Sequence, residues 1–142
     1  MTVASILSQK DRRTVTARAH QSLQEIAEVL ATNRIGAVVL VDDDMRIEGI
    51  LSERDIVRAI ANEGPGVLST PVSGQMSRNV MTARETDTVE AVMNRMSEGR
   101  FRHMPVTRDG RLVGVVSIGD IVKRKIEQTE REAADLKAYI TA

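Results

Sequence analysis

The sequence contains no cysteine and no tryptophan, and it has one phenylalanine and one tyrosine. The absence of cysteine excludes disulfides, thiolate catalysis and cysteine-ligated zinc sites. With only Phe101 and Tyr139 available, the chain lacks the aromatic platforms on which single-stranded nucleic acids stack. The interior must therefore be aliphatic, with seven methionines available to fill irregular gaps.

The sequence also lacks net charge and long apolar runs. Its 20 basic residues balance 20 acidic ones, which argues against a general nucleic-acid or membrane-surface binder. No apolar run approaches the roughly 20 residues of a membrane-spanning helix, and residues 1–10 lack the pattern of a signal peptide. We therefore expect a cytoplasmic protein. Its 142 residues suit one ordinary domain, or two very small ones that share a core.

An internal repeat organises the chain. A displacement of 66 residues aligns Thr16–Arg18 with Thr82–Arg84. After one residue is lost in a turn, a displacement of 65 aligns Asp55–Val57 with Asp120–Val122, and eleven pairs are identical in all. Amphipathic periodicity would match apolar positions, but it would not match polar residues at fixed offsets. The pattern therefore indicates two copies of one unit.

Each copy is predicted to fold as β-α-β-β-α. Leu23, Ile26 and Leu30 share one face of a helix, and Ala37–Val41 is a near-continuous apolar run typical of a buried strand. The second copy repeats both patterns, and a Gly-Pro-Gly sequence at 64–66 indicates a linker. The predicted fold class is α/β (α+β). Two units, at residues 1–65 and 71–142, are expected to pack as one pseudo-two-fold body.

Local signals predict where several elements begin and end. A short strand is expected around residues 15–16 and 81–82, and Ser22 and Asp87 are expected to cap the first helix of each copy. The last helix is predicted to run from about Ile118 towards Ile140. Its heavily charged second half leaves two interpretations open. It is a solvated helix, or it is a dimerisation element that uses Ala133, Leu136, Tyr139 and Ile140.

One motif opens the second helix of each copy: Gly-apolar-apolar-Ser-x-x-Asp, at 49–55 and 114–120. A helix start offers free N–H groups and a positive dipole to an anion, and an aspartate there accepts both hydroxyls of a ribose. Ser followed by an acid three residues later is equally a capping box, which stabilises a helix by about 1 kcal/mol. Two features favour the ligand: Asp is shorter than the Glu that reaches back better, and basic residues cluster nearby.

On these residues, both copies resemble cystathionine-β-synthase (CBS) domains, and the pair resembles a Bateman module over about residues 3–125. The lead-in also repeats, because residues 3–7 resemble 72–76, like the short helix that usually precedes each first strand in this family. The family typically binds adenine nucleotides or adenosine derivatives in two clefts between its paired domains. The resemblance implies that Asp55 and Asp120 hold ribose hydroxyls.

The resemblance also extends the candidate site beyond the two aspartates. The candidate ligand-binding residues are Thr16, Ala17, Arg18, Ser52, Arg54, Asp55, Thr82, Ala83, Arg84, Arg102, His103, Met104, Pro105, Ser117 and Asp120. For Arg18 and Arg84 an interface contact is the alternative, and for Arg54 a solvated helix face is the alternative.

The resemblance implies different roles for the two clefts. In the second copy, Arg102 and His103 precede a Pro-Val pair and would contact phosphate, whereas the first copy has Gly36 and Ala37 at those positions. We therefore expect a better phosphate grip where the second copy's strand contributes. Which aspartate shares a cleft with Arg102 is left open.

The resemblance implies a ligand-sensing regulatory module. It would bind AMP, ADP, ATP, NAD(H) or S-adenosylmethionine and act in trans on an unknown effector protein, as a homodimer. The alternative is a dimerisation or interaction module that needs no ligand. No enzyme is expected, because no nucleophile–base–orienter set is found. No metal site is expected from two histidines without further ligands, and no nucleic-acid or membrane partner is expected.

Overall fold

The computed structural model describes residues 1–10 and 13–141, so the last residue of the predicted second unit lies outside the described residues. In chain order, the elements are α1 (Val3–Ser8), β1 (Thr16–Ala17), α2 (Leu23–Asn33), β2 (Ala37–Val41), β3 (Ile47–Ser52), α3 (Glu53–Glu63), two 3₁₀ turns (Pro65–Ser69 and Val72–Gly74), α4 (Val89–Gly99), β4 (His103–Arg108), β5 (Arg111–Ser117) and α5 (Ile118–Thr141).

The predicted α/β fold with two similar units is confirmed. In the first copy, β1 runs parallel to β2, and β2 pairs antiparallel with β3. In the second copy, β4 and β5 form the matching antiparallel pair. All five residues of β2 are buried, as the apolar run predicts.

Two local predictions were wrong. The second copy has no strand at residues 81–82, and its counterpart of β1 is one parallel bridge between Ala83 and Val106. The cap of α4 is Thr88, whose hydroxyl accepts from the Ala91 N–H, and not Asp87. Asp87 instead accepts from the Arg84 N–H at 2.9 Å and from Arg95 at 2.8 Å. These two contacts hold the Asp87 carboxylate away from the helix start.

The lead-in segments are exchanged between the copies. Val3 and Ile6 of α1 lie in the core of the second copy, whereas Val72 and Met76 lie in the core of the first. The exchange is symmetric in the backbone as well, with one bridge between residues 2 and 88 and another between residues 22 and 71. The packing therefore crosses the boundaries at 65 and 71, which stay predictions.

Two glycines of the repeated motif are explained by this exchange. A Cβ added at Gly49 would lie 2.6 Å from Met76 Sδ, and one added at Gly114 would lie 2.7 Å from Leu7 Cδ2. Because both distances are far below van der Waals contact, any larger residue there would force the lead-in side chain to shift from its place on the strand. These glycines therefore serve the packing of the exchanged segments.

A small third core joins the two copies. Val39 and Val41 of β2 pack with Leu112 of β5, and Ile50 and Val115 flank them. A backbone hydrogen bond of 2.9 Å from the Leu112 N–H to the Met45 carbonyl links the copies at the same place. The two copies thus pack as one body with their sheets adjacent.

Candidate ligand-binding clefts

Two cavities flank the contact between the copies. The first has a volume of about 660 Å³ and is lined by Asp55, and we term it the Asp55 cleft. The second has a volume of about 930 Å³ and is lined by Asp120, and we term it the Asp120 cleft. Each volume falls in the range of pockets that hold small ligands.

Each cleft is built from both copies. The Asp55 cleft combines the start of α3 in the first copy with residues 79–81 and 99–103 of the second. The Asp120 cleft combines the start of α5 in the second copy with residues 13–15 and 32–37 of the first. The structure thereby answers the question that the sequence left open, because Arg102 shares its cleft with Asp55.

Both aspartates act as helix caps. Oδ2 of Asp55 accepts from the Ser52 N–H at 2.8 Å, and Oδ2 of Asp120 accepts from the Ser117 N–H at 2.9 Å. The serine hydroxyls complete the box by accepting from the aspartate N–H groups, at 3.4 and 3.1 Å. Although Glu was expected to reach back better than the shorter Asp, both aspartate carboxylates reach the cap position, so the choice of Asp does not favour a ligand over a cap.

The capping does not remove the carboxylates from the clefts. Each aspartate side chain keeps about a quarter of its surface exposed, at 22% for Asp55 and 25% for Asp120. Within the described residues, the hydrogen bonds of both carboxylates use Oδ2, and Oδ1 of Asp55 lies 3.7 Å from Nη1 of Arg58. A carboxylate has about four acceptor sites, so a capping aspartate can still accept hydroxyl groups.

The helix starts offer fewer amides than the motif suggested. The N–H of Glu53 donates to the Gly36 carbonyl at 2.9 Å, and the N–H of Ile118 donates to the Arg102 carbonyl at 2.8 Å. Because the aspartate N–H groups are also occupied, at most the amides of Arg54 and Gly119 are left in each first turn. The charge of the cleft must therefore come mainly from side chains.

Positive charge lines both clefts. In the Asp55 cleft, Arg54, Arg58, Arg100 and Arg102 accompany Glu53 and Asp55, so four cations stand against two carboxylates. In the Asp120 cleft, Lys10, Arg13 and Arg34 accompany Asp120, so three cations stand against one carboxylate. The described linings thus share the same excess of two positive charges.

The clefts therefore do not differ in net charge, and the expected difference in their grip on phosphate stays a prediction. The strand of the first copy lacks a counterpart of Arg102, as the sequence showed. The cations of the Asp120 cleft instead lie outside that strand. Lys10 and Arg13 lie before β1, and Arg34 ends α2. Lys10 also forms an ion pair of 2.8 Å with Asp120. Burial acts to raise the pKa of Asp120, but the hydrogen bonds from Lys10 and from the Ser117 N–H outweigh burial and hold this pKa below its ordinary value.

His103 lies between the two clefts and lines both of them. Its imidazole packs on Gly36, where an added Cβ would lie 3.4 Å from Cε1 and Nε2. Burial lowers the pKa of His103 below its ordinary value, and the nearby carboxylates of Asp120 and Glu53 do not overcome this effect. His103 is therefore mostly neutral at pH 7, where it offers a phosphate a neutral N–H donor rather than a positive charge.

Several predicted residues do not line either cleft. Ala17 and Ala83 point into the cores of their copies, and Met104 is fully buried. Thr16 and Thr82 precede these alanines and are likewise outside the linings, as are Arg18, Arg84 and the buried Pro105. Arg18 instead pairs with Asp43 at 2.9 Å. The predicted residues that do line a cleft are Ser52, Arg54, Asp55, Arg102, His103, Ser117 and Asp120.

Two groups of lining residues were missed. The first group, residues 13–15 and 79–81, lies just before the residues proposed from the sequence. The second group is the matched pair Arg34 and Arg100, which end α2 and α4 in the left-handed conformation, with φ of 53° and 57°. The signal available in the sequence was that both copies have arginine at this position, where a helix that ends in the left-handed conformation usually has glycine.

Within residues 1–10 and 13–141, no three His, Cys, Asp or Glu side chains come together as a metal ion would require. In the same part of the chain, no helix has both the length and the apolar character needed to cross a membrane.

Comparisons with known proteins identify a family and several similar structures. The CBS domain family matches this chain at residues 3–62 and 72–127. The crystal structure of a CBS-domain containing protein from Agrobacterium tumefaciens is 42% identical, with a TM-score of 0.84, and the match covers 88% of this chain and 99% of that one.

Two similar structures contain ligands. A CBS domain protein from Pyrobaculum aerophilum, complexed with AMP, is 32% identical, with a TM-score of 0.76, over 84% of this chain and 89% of that one. A CBS domain pair in complex with 5′-methylthioadenosine and S-adenosyl-L-methionine is 29% identical, with a TM-score of 0.80, over 90% of this chain and 98% of that one. Curated relatives are longer, and the chain spans 24%, 60% and 63% of three of them.

Proposed function

Because this chain belongs to the CBS domain family, we propose that it is a regulatory module rather than an enzyme. It binds an adenine nucleotide or adenosine derivative in the Asp55 and Asp120 clefts and acts on a partner protein in trans. Similar CBS proteins have been solved with AMP and with S-adenosyl-L-methionine, which supports the adenosine class of ligand. The cytoplasmic location stays a prediction from the sequence.

One observation carries this proposal. In each cleft, a carboxylate at a helix start lies near cations. In the Asp120 cleft the described cations come from the opposite copy, and in the Asp55 cleft both copies contribute them. A carboxylate complements the hydroxyls of a ribose, and clustered guanidinium groups complement a phosphate.

The charge of the clefts favours phosphate-bearing ligands. Both described linings have an excess of two positive charges. AMP, ADP, ATP and NAD(H) are anions, whereas S-adenosylmethionine carries a positive sulfonium group. We therefore expect AMP and the other nucleotides to bind more tightly than S-adenosylmethionine, with a difference that shrinks as salt is added.

Thermal and calorimetric titrations test the proposal. A ligand at one hundred times its dissociation constant should stabilise the fold by about 2.7 kcal/mol. Titration with AMP, ATP, NAD(H) and S-adenosylmethionine should show such a shift for at least one nucleotide. If none of these compounds shifts the midpoint of unfolding or gives a binding isotherm, the proposal is wrong.

Two aspartate substitutions assign the clefts. Asp55→Asn and Asp120→Asn keep an oxygen for the cap but lose the charge, so the fold should survive while the affinity at one cleft falls by about 10- to 100-fold. Asp109→Asn, in the exposed turn between β4 and β5, provides the matched control. The two site variants should each remove a different part of the wild-type isotherm.

A ligand-independent interaction module is the second candidate. The capping boxes and the pair between Lys10 and Asp120 favour it, because they give the aspartates a structural role without any ligand. This candidate predicts that Asp55→Asn and Asp120→Asn affect stability alone. Both candidate functions therefore predict a homodimer, but only the first predicts a response to nucleotides.

We also propose that the module is a homodimer. Val57 of α3 and Val122 of α5 occupy the same position of the repeat, and they are 68% and 47% exposed. Apolar side chains exposed at equivalent positions of both copies are typical of a surface that packs against another molecule. Native mass spectrometry of the purified chain measures the dimer mass and any co-purified nucleotide together.

A further inference from the structure

The second half of α5 extends away from the body of the protein. Ile121 is fully buried, but every residue from 128 to 141 is exposed. At a rise of about 1.5 Å per residue, this segment is roughly 20 Å long. An isolated helix of this length is marginal in water, so its stability calls for a packing partner.

An apolar stripe follows this helix. It consists of Val122, Ile126, Ala133, Leu136 and Ile140, with Thr129 as its one polar member, and we term it the α5 stripe. The spacings alternate between four and three residues, which is the 3.5-residue period of a coiled-coil seam and not the wider face that packs on a globular core. Ile126, Leu136 and Ile140 are 53%, 60% and 71% exposed. The stripe therefore lies on the surface, with its members covered by the rest of the described chain only in part and least towards the end of α5.

We propose that the α5 stripe pairs with the same stripe of a second copy as a parallel, in-register, two-stranded coiled coil. This inference rests on the homodimer proposed above, and it names the element that joins the two copies and their orientation. One seam position holds Ile126, Ala133 and Ile140, and the other holds Val122, Thr129 and Leu136, so Ile126, Ile140 and Leu136 are the residues that fit the rule for parallel pairs. β-branched residues at the first position with leucine at the second favour two parallel strands. Ala133 between them allows the helices to approach closely.

The charges beside the stripe favour the same arrangement. In a parallel pair, a residue just before one seam position faces the residue five positions later on the other helix. This rule brings Glu132 opposite Lys137 of the second copy, and Lys125 opposite Glu130 of the second copy. Lys125 also pairs with Glu90 of its own chain at 2.9 Å. The contact of Glu132 with Lys137 is therefore the better one to test, because it does not compete with that ion pair.

An antiparallel pair can keep all six stripe residues in layers only if Ala133 lies opposite Thr129 of the second copy, and this register would bring like charges together. Glu132 would then face Glu132 of the second copy, and Glu130 would face Glu130 of the second copy. Like charges across such a seam are destabilising. Charge complementarity thus favours a second copy of this chain as the partner, and it favours the parallel pair over the antiparallel register in which the two stripes overlap in full.

A cross-linking experiment tests the partner and the direction. The chain has no cysteine, so Ala133→Cys in the full-length protein introduces one thiol. In the parallel register the two thiols face each other within reach of a disulfide, and mild oxidation should cross-link most of the protein. Arg131→Cys, on the opposite face of the helix, is the control and should react at least tenfold more slowly. Equal rates for the two variants would overturn the coiled coil.

A mixed cross-link reports an antiparallel pair. If Ala133→Cys reacts faster with Thr129→Cys than with itself, the parallel direction is wrong. A dimer mass without cross-linking at position 133 would reject the coiled coil and keep the homodimer, whereas a monomer mass would reject both. Nucleotide titration of the same samples is independent of either outcome, so the ligand proposal is judged separately.

Charge exchange provides a second test. Glu132→Lys and Lys137→Glu should each weaken self-association by about fivefold in sedimentation equilibrium, because each creates two like-charge contacts per dimer. The double variant should restore the wild-type association, since the opposite charges face each other again. Additive effects of the two substitutions would contradict the proposed pairing.

Discussion

Lys10 and Asp120 form an ion pair that joins the two copies of the repeat. Nζ of Lys10 lies 2.8 Å from Oδ2 of Asp120 and donates to the Val115 carbonyl at 2.7 Å. The same carboxylate oxygen caps α5 by accepting from the Ser117 N–H at 2.9 Å. The segment after α1 is thereby tied to the residue that we propose for ribose binding.

Lys10→Met should weaken the fold in a manner that depends on pH. Lys10 and the cap hold the pKa of Asp120 below its ordinary value against the opposing effect of burial. Asp120 therefore contributes stability above its ordinary pKa near 4, and this contribution is lost as the pH falls through the lower folded pKa. We expect Lys10→Met to lower the free energy of unfolding by about 1 kcal/mol at pH 7, because the pair is partly exposed.

Urea unfolding between pH 7 and pH 3 measures this effect. The difference between wild type and Lys10→Met should shrink towards zero as Asp120 becomes protonated in both proteins. The same substitution at the exposed Lys123 of α5 is the control. A difference that stays constant across this range would show that Lys10 acts through packing of its alkyl chain alone.

His103→Gln should remove a pH dependence near neutrality. Burial lowers the pKa of His103 in the folded protein, so the unfolded chain binds the proton more readily. Stability should therefore decrease as the pH falls through the ordinary histidine value near 6.5, by up to about 1.4 kcal/mol per pH unit, until the folded pKa is reached. Chemical unfolding between pH 8 and pH 5.5 should show this slope in wild type and lose it in His103→Gln.

The parts of the fold that the sequence predicted are those encoded locally. The helix face of Leu23, Ile26 and Leu30 and the apolar run of β2 specify their elements within a few residues, because periodicity is a short-range property. The exchange of the lead-in segments could not be predicted in this way. Val3 has equal apolar character whether it packs on its own copy or on the other, and only tertiary packing decides between them.

The same distinction explains the candidate site. Ser52 and Asp55 were found because the motif is contiguous, and their cap geometry is a short-range property as well. The sequence assigned Thr16 and Ala17 to the cleft, but the residues that line it are those just before them. The register of β1 on β2 directs Ala17 into the core instead. The contribution of Lys10 to the Asp120 cleft depends on the path of the chain between the copies, which no local pattern records.

Gly49→Ala and Gly114→Ala should destabilise the fold by about 1–3 kcal/mol each, which is the usual cost of overpacking. An added Cβ would meet Met76 at Gly49 and Leu7 at Gly114, at less than 3 Å. Gly66→Ala is the matched control, since a Cβ there meets no atom within 4 Å. Thermal or urea unfolding of the three variants measures the difference. A loss at Gly66 as large as at Gly49 would mean that backbone freedom, and not contact with the lead-in, accounts for the glycines.

Val3→Ala and Val72→Ala should weaken opposite copies. The two valines occupy equivalent positions of the exchanged lead-ins, and both are fully buried. Val3 lies in the core built on β4 and β5, whereas Val72 lies in the core built on β2 and β3. Each substitution removes two buried methyl groups, so each should cost about 2 kcal/mol.

Hydrogen exchange of the backbone amides locates each loss. Because the core that joins the copies is small, with Val39, Val41 and Leu112 as its buried members, we expect each copy to open in part on its own. Val3→Ala should then reduce protection most in residues 103–117, although Val3 itself belongs to the segment before the first copy. Val72→Ala should reduce protection most in residues 37–52. The opposite pattern, in which each substitution affects the copy that follows it in sequence, would show that the lead-ins are not exchanged in solution.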